Sequence, residues 1–213
     1  MNAQIISELL SQACIWHKTQ NNSITTKRTT TPIPEISNKI AYLAGVITGD
    51  GSLNISKRKK GGYHYRIQIV GHKEDLERIA TLFKELFNYK PTVHKDQRKA
   101  NCYLINISSA AIFFYFIKLG FFSGKKINMK VPAIIAANPT FFKHYLLGLI
   151  DTDGHISRNR IHLKQREEGF LKELVKLLEK HFNIKSNPPK VNYTEGKPFY
   201  YIRFPRDNLH PDF

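Results

Sequence analysis

The chain has 213 residues, enough to bury the core of one or two domains. Its 33 Lys and Arg residues outnumber 17 Asp and Glu residues, which gives a net charge of +16 and a pI near 9.8. This excess indicates a polyanionic partner, nucleic acid before a membrane surface, with a merely basic soluble protein as the alternative. No apolar stretch approaches the ~20 residues of a membrane span, no signal peptide is evident, and two cysteines argue against a disulfide framework or zinc ribbon. We therefore expect an intracellular protein, in cytoplasm, nucleoid or organelle, with no membrane association.

Two similar segments lie 103 residues apart along the chain. Residues 42–51 read YLAGVITGDG and residues 145–154 read YLLGLIDTDG, so Asp50 and Asp153 end equivalent helix-like runs. The C-terminal end of a helix already carries partial negative charge, so these carboxylates are placed against the dipole. In one copy, an aspartate that serves the turn with the following glycine would be an equal alternative. The second copy argues against that alternative.

The sequence after each segment is duplicated too. Residues 65–91 and 159–186 each predict an alternating strand, a charged turn, a long amphipathic helix and an FN-x-K ending. The second repeat is shortened: the chain ends soon after its last strand, where the first repeat continues into a helix and two lysines. We predict four regions in chain order: an N-terminal arm or linker over 1–34, a first repeat over 35–122, a connector over 123–140 and a second repeat over 141–213.

Alternation along the duplicated strands leaves one polar face in each repeat. The two faces carry, in chain order, His64, Arg66 and Gln68, then Arg160, His162 and Lys164. A polar outer face is ordinary in a half-buried sheet, but these faces are almost entirely cationic or amide. Such side chains suit the major groove of DNA, where Arg pairs with guanine and Gln with adenine. Lys59 and Lys60, in the longer first hairpin, are predicted to bind phosphate.

These residues resemble the LAGLIDADG homing endonuclease family, in its single-chain form with two motifs. Residues 43–51 fit the nine-residue motif except at the sixth place, where Thr48 replaces the usual Asp, and residues 146–154 fit almost throughout. The connector LGFFSGKKINMKVP is similar to the family's segment after its first repeat. The resemblance covers residues 38–205 and leaves the N-terminal arm unexplained.

The resemblance implies an α+β fold of two pseudo-symmetric αββαββ-type repeats. They would pack through the two LAGLIDADG helices, and their antiparallel sheets would form a DNA-binding saddle. Small residues such as Gly45 and Gly148 would let the helices approach closely and bring Asp50 and Asp153 together. Two neighbouring carboxylates repel each other by several kcal/mol at an effective dielectric near 20. A divalent metal needs that placement, and hard oxygen ligands suit Mg²⁺.

The resemblance also implies an activity, hydrolysis of one phosphodiester on each DNA strand across the minor groove. Such a site-specific endonuclease acts in intron homing. Asp50 and Asp153 would be catalytic metal ligands, and the carbonyls of Gly49 and Thr152 would add ligands.

Family members place a glutamine and a lysine around the attacking water. The glutamine position falls at Gln165 in the second repeat, and Gly71 stands at its counterpart in the first. The lysine position falls at Lys125 or Lys126. Because of this asymmetry and the shortened second repeat, an enzyme biased toward nicking is one expectation.

Two other functions stay open on this fold. One is an intron RNA maturase, which is compatible with intact acids, and the other is a sequence-specific DNA-binding protein, against which both retained aspartates argue. An intein is disfavoured because no splicing domain fits the available length. We expect a monomer that binds double-stranded DNA with a long target site, with intron RNA as the alternative partner.

Overall fold

The computed structural model describes residues 18–19, 23–25, 30–59, 61–97 and 101–205. Backbone contacts group them into two compact units. Unit 1 holds the described residues up to Ile36 together with Ser52–Gly124, and unit 2 joins Ser37–Gly51 to the described residues from Lys125 onwards. The helix of the first motif therefore belongs to unit 2. The predicted domain boundaries follow sequence similarity rather than contacts, and they stay a prediction.

Helices and strands follow each other in the order that the duplication predicts. The helices are α1 (Asn38–Gly49), α2 (Lys73–Phe87), α3 (Ala110–Leu119), α4 (Ala133–Ala137), α5 (Pro139–Asp153) and α6 (Glu168–Phe182). The strands are β1 (Lys18–Thr19), β2 (Ser23–Thr25), β3 (Thr30–Pro32), β4 (Gly51–Lys57), β5 (Tyr63–Gly71), β6 (Val93–Lys95), β7 (Tyr103–Ile107), β8 (Gly154–Ile156), β9 (Arg160–Gln165), β10 (Lys190–Thr194) and β11 (Lys197–Pro205). Both repeats thus show the αββαββ order, and α4 lies in the connector, which confirms the predicted α+β fold.

The predicted N-terminal arm contributes three short strands to unit 1. Strand β2 pairs antiparallel with β1 and with β3, in a three-stranded sheet. The rest of the arm, residues 1–17, 20–22 and 26–29, lies outside the described residues.

A four-stranded sheet in the order β4-β5-β7-β6 forms the centre of unit 1. Strand β7 pairs antiparallel with β5 and β6, and the register places Ile67 opposite Ile107 and Ile69 opposite Ile105. All four isoleucines are buried, and α2 and α3 contact the sheet. The alternating side chains of β5 therefore leave the polar face that the sequence predicts.

A second four-stranded sheet, in the order β10-β11-β9-β8, lies in unit 2, and its neighbouring strands are antiparallel. Ile161 and Leu163 of β9 are buried with Ile202 and Phe204 of β11. Helix α6 packs on both strands. Its amphipathic pattern supplies the apolar side chains that cover this face of the sheet.

The two long amphipathic helices end in the same way. Asn88 caps the C-terminal end of α2 and Asn183 that of α6, and both asparagines are left-handed, with φ of 51° and 54°. Asparagine tolerates this conformation better than most residues, so each chain segment turns away from its helix at the predicted FN ending.

Close packing of α1 against α5 forms the core of unit 2. A Cβ added to Gly45 would overlap the Tyr145 carbonyl oxygen and lie 2.9 Å from the Leu149 nitrogen. In the reciprocal position, a Cβ on Gly148 would overlap the Tyr42 carbonyl oxygen. The small residues predicted at this interface are therefore required by backbone-to-backbone contact. Within the described part of the chain, no helix is both long and apolar enough to cross a membrane.

Candidate functional site

Each motif helix ends at one of the two motif aspartates. Asp50 caps the C-terminal end of α1, and Asp153 is the last residue of α5. A Cβ added to Gly49 would overlap the Thr152 hydroxyl and lie 3.0 Å from Asp153 Oδ2. Glycine at position 49 therefore allows the two helix ends to touch, and the fold of unit 2 places both aspartates in one site.

Reciprocal hydrogen bonds join the sixth motif positions to tyrosines on the opposite helix. The Tyr145 hydroxyl donates to Thr48 Oγ1 at 2.9 Å, and Thr48 donates to the Ala44 carbonyl oxygen at 2.9 Å. The Tyr42 hydroxyl donates to Asp151 Oδ2 at 2.7 Å. Thr48 thus departs from the usual Asp at a position that joins the two helices. Sequence reasoning missed these bonds, although both repeats begin with the same tyrosine.

Lys126 and Gln165 reach the aspartates from two different segments. Lys126 Nζ donates to the carbonyl oxygens of Thr48, at 2.6 Å, and Gly49. Gln165, at the end of β9, donates from Nε2 to Asp153 Oδ2. Of the two lysines that the sequence left as alternatives, Lys126 makes these contacts.

The pKa of both carboxylates is raised, that of Asp153 by burial and by repulsion and that of Asp50 by burial. Burial, followed by the charge of Asp50, raises the pKa of Asp153 to about 6, and Lys126 and the hydrogen bond from Gln165 oppose this shift. Burial also raises the pKa of Asp50, against the charge of Lys126. The pKa of Lys126 is lowered by burial, although both carboxylates act to raise it. The ammonium group of Lys126 therefore interacts with the negative charges of both aspartates.

The oxygen atoms of this site suit a hard divalent cation. They comprise two carboxylates and the carbonyl of Gly49, and the site already accepts the ammonium of Lys126 among them. Thr152, predicted to add its carbonyl, lies in the last turn of α5, where its hydroxyl donates to the Gly148 carbonyl at 3.1 Å. Within the described ranges, no cluster of three or more His, Cys, Asp or Glu could hold a metal. Mg²⁺ fits such a sparse oxygen site, because it keeps several waters and binds substrate phosphates.

Comparison with known proteins identifies this helix-and-strand arrangement. The LAGLIDADG-like domain family matches residues 142–210. Mesophilic variants of the homing endonuclease I-DmoI superpose with a TM-score of 0.62 at 21% identity, over 81% of this chain and 90% of that chain. I-DmoI in complex with DNA and Mn gives a TM-score of 0.60 at 22% identity, over 82% and 94%. This chain therefore has the fold of the homing endonuclease I-DmoI, and its residues 142–210 match the LAGLIDADG-like domain family.

Two further proteins are similar to this chain. The I-LtrWI LAGLIDADG homing endonuclease bound to target DNA superposes with a TM-score of 0.51 at 12% identity, over 79% of this chain and 78% of that chain. An uncharacterized protein of Methanocaldococcus jannaschii is 26% identical over 176 residues, which are 79% of this chain. The match covers 58% of that relative, so the chain spans less than two thirds of its length.

A cavity of about 490 Å³ opens beside Asp153. Gly49, Lys126, Asp153 and Gln165 line one part of it. The remaining lining includes basic and aromatic residues of β9, the turn after it and the β10–β11 hairpin: Lys164, Arg166, Lys197 and Phe199. Of these four residues, only Lys164 is predicted from the sequence as a DNA-binding residue. Arg166 and Lys197 flank strand ends, where alternation gives no signal.

The predicted DNA-binding side chains of unit 2 lie in a basic row across three strands. His162 lies opposite His155 of β8 and opposite Arg203 of β11. Burial and the charges of nearby basic groups, Arg203 first, lower the pKa of His162. Arg160 and Lys164 are exposed on the same strand. His155 and Arg203 were missed, although alternation in FYYIRFP sets Arg203 apart from the buried Ile and Phe beside it.

The predicted DNA-binding side chains of unit 1 are partly engaged within their own sheet. His64, Arg66 and Gln68 are half-buried on β5, and Gln68 Nε2 donates to Asn106 Oδ1 at 3.1 Å. Arg66 Nε is buried without a hydrogen-bond partner. Lys59 is exposed, and Lys60 lies outside the described residues. These positions stay predictions of DNA contact.

Proposed function

We propose that this protein is a LAGLIDADG endonuclease of the homing type, which cuts DNA at a specific site and hydrolyses one phosphodiester on each strand with bound Mg²⁺. The observation that carries the proposal is the meeting of Asp50 and Asp153 at two helix ends, with Lys126 and Gln165 beside them. A fold gains nothing from two neighbouring carboxylates that repel each other. The homing endonuclease I-DmoI, which has this fold, has been solved in complex with DNA and Mn.

Asp50 and Asp153 would hold the divalent metal. When bound, such a metal polarises a phosphoryl oxygen and lowers the pKa of a water molecule. Lys126 would stabilise negative charge on the phosphate, since its ammonium lies at the acid pair. Gln165 would orient Asp153, to which it donates, and present its amide to the attacking water.

The basic surfaces would bind double-stranded DNA over a long site. The net charge of +16 supports phosphate binding. The cationic part of the cavity, with Arg166 and Lys197, would hold phosphates next to the scissile bond. Arg160 and His162 would read base edges, and the protein would act as a monomer.

The test is incubation of the chain with supercoiled plasmid that carries the uninterrupted insertion site of its own gene, with Mg²⁺ or with EDTA. The proposal expects linear product with Mg²⁺ only, and binding whose log–log salt slope is about −3 or steeper. A matched plasmid with the gene inserted in the site is the control, because insertion should abolish cutting. Binding without cleavage would indicate a DNA-binding protein, and metal-dependent splicing of the intron transcript without DNA cleavage would indicate a maturase.

A further inference from the structure

Negative charge is concentrated at the C-terminal end of α1. The last carbonyls of a helix have no partner within the helix and hold the negative end of its dipole. Asp50 caps this end, and the end of α5 adds Asp153. Neither helix has a basic residue in its last turn. Any compensating cation must come from another segment.

Lys126 is that cation. It is 77 residues from Gly49 in sequence, yet its Nζ donates to the carbonyl oxygens of both Thr48 and Gly49. Its charge acts on both aspartates. The segment that carries it is fixed on α6 and the turn before it, because the Asn128 amide donates to Glu167 at 3.2 Å and the Val131 amide donates to Glu173 at 3.1 Å.

The position of Lys126 conflicts with one proposed metal ligand. The Gly49 carbonyl accepts a hydrogen bond from Lys126, so a metal that binds this oxygen competes with the ammonium. Two cations close together would also repel each other. Lys126 and a divalent metal are thus alternatives for the same negative charge.

We propose that Lys126 is the internal counter-ion of the metal-free protein: its ammonium holds the two aspartates and the end of α1 together, and it gives up the Gly49 carbonyl when metal binds. This inference rests on the metal site of the proposed function, but not on cleavage. It assigns Lys126 a positioning role before DNA is present. It also means that the site stays assembled without metal, at the expense of metal affinity.

The experiment is a double-mutant cycle without DNA, with wild type, Lys126→Met, Asp153→Asn and the double variant. Thermal unfolding is measured in EDTA and with excess Ca²⁺, and Ca²⁺ affinity is measured by calorimetry. Lys126→Met should lower Tm in EDTA by about 5 °C or more. The loss should shrink by at least half in the Asp153→Asn background and with excess Ca²⁺. Lys126→Met should also bind Ca²⁺ about tenfold more tightly than wild type. Lys125→Met, at the exposed neighbour, is the matched control and should change neither quantity.

The inference is overturned if Lys126→Met lowers Tm equally in wild type and in the Asp153→Asn variant. Lys126 would then act only on the carbonyl oxygens at the end of α1. Equal Ca²⁺ affinity of wild type and Lys126→Met would overturn it too. If Lys126→Met does not fold in EDTA, refolding from urea in Ca²⁺ replaces the melt, and recovery with Ca²⁺ alone supports the inference. A protein that passes this cycle but cuts no DNA would refute the proposed function alone. A protein that cuts DNA without the coupling would refute the counter-ion alone.

Discussion

Strand β5 ends at Gly71 and strand β9 ends at Gln165, although the two strands follow equivalent motif helices. In unit 2 this last residue contacts an aspartate through its amide, and in unit 1 the equivalent residue has no side chain. A Cβ added to Gly71 would lie 3.8 Å from Leu76, in ordinary contact, so a larger residue is sterically acceptable there. Packing therefore does not require glycine at position 71. The two strand ends differ in whether they carry a polar side chain.

The motif helices themselves show the opposite relation. Gly45 and Gly148 are interchangeable in role, since a Cβ on either would overlap a tyrosine carbonyl of the other helix. The contact between the helices is symmetric, whereas the polar groups around the aspartates are not. The two repeats are therefore equivalent where their backbones touch and differ in the polar side chains beside the aspartates.

The largest expected effect is the loss of either aspartate. Asp50→Asn and Asp153→Asn should each reduce double-strand cleavage by about 10⁴-fold, because removal of a ligand charge disables the shared metal. DNA affinity should stay near that of wild type, since phosphate contacts remain. Plasmid linearisation and a filter-binding assay measure the two quantities. If one variant still cut both strands at nearly the wild-type rate, the two aspartates would not share one function.

Much of this arrangement could be predicted from the sequence, because its signals are local. The repeated Asp-Gly ending placed both aspartates at helix ends, and strand alternation separated Ile67 from its polar neighbours. The Tyr145–Thr48 bond was not predictable, because its partners lie 97 residues apart. The choice between Lys125 and its neighbour could not be made either, since a loop has no periodicity. Which unit α1 joins depends on long-range contacts alone.

The symmetric helix contact is tested by alanine at each glycine. Gly45→Ala and Gly148→Ala should each lower the free energy of unfolding by about 3 kcal/mol, because the added methyl forces the backbones apart. Urea unfolding measures this loss. Gly169→Ala is the matched control: its Cβ meets nothing within 4 Å, so stability should stay equal or rise slightly. A clear difference between the free energies of unfolding of Gly45→Ala and Gly148→Ala would show that the helix contact is not symmetric.

The asymmetry at the strand ends is tested by changing Gln165 and Gly71. Gln165→Ala should slow cleavage of one DNA strand by about 10- to 100-fold, because Asp153 and its water lose their amide partner. Nicked circle should then accumulate on a supercoiled plasmid for longer than with wild type. Gly71→Gln is the converse change, and it should leave folding intact. Linearisation without any nicked intermediate, in wild type and in Gln165→Ala, would show that these positions do not set strand rates.

Protonation of Asp153 should make the metal-free stability and the Ca²⁺ affinity depend on pH, and the charge of Asp50 should set the midpoint of this dependence. Since the folded pKa is about 6 and the ordinary value is 3.8, the folded protein binds more protons, and the metal-free form should lose stability as pH rises through this window. Metal needs the deprotonated form, so Ca²⁺ affinity should fall about tenfold per pH unit below 6. In Asp50→Asn the repulsion is gone, and the midpoint should move to lower pH; because this variant lacks a metal ligand, its midpoint is read from its stability in EDTA. Ca²⁺ calorimetry of wild type and thermal unfolding of both proteins in EDTA, between about pH 5 and pH 7, are the measurements. An unchanged midpoint would separate the two carboxylates.

The smallest expected effect compares the two interhelical tyrosine bonds. Tyr145 is fully buried and its partner Thr48 is buried as well, so Tyr145→Phe leaves a buried hydroxyl oxygen without its donor. The free energy of unfolding should fall by about 1–2 kcal/mol. Tyr42→Phe removes the exposed bond to Asp151 and should cost about 0.5 kcal/mol, because water replaces the lost donor.

Urea unfolding of both variants, with Thr48→Val to remove the acceptor in each background, measures the coupling. Thr48→Val should add little to Tyr145→Phe, since the bond is already lost, and should act independently of Tyr42→Phe. If Tyr145→Phe and Tyr42→Phe lowered the free energy of unfolding equally, burial would not make one interhelical hydrogen bond stronger than the other.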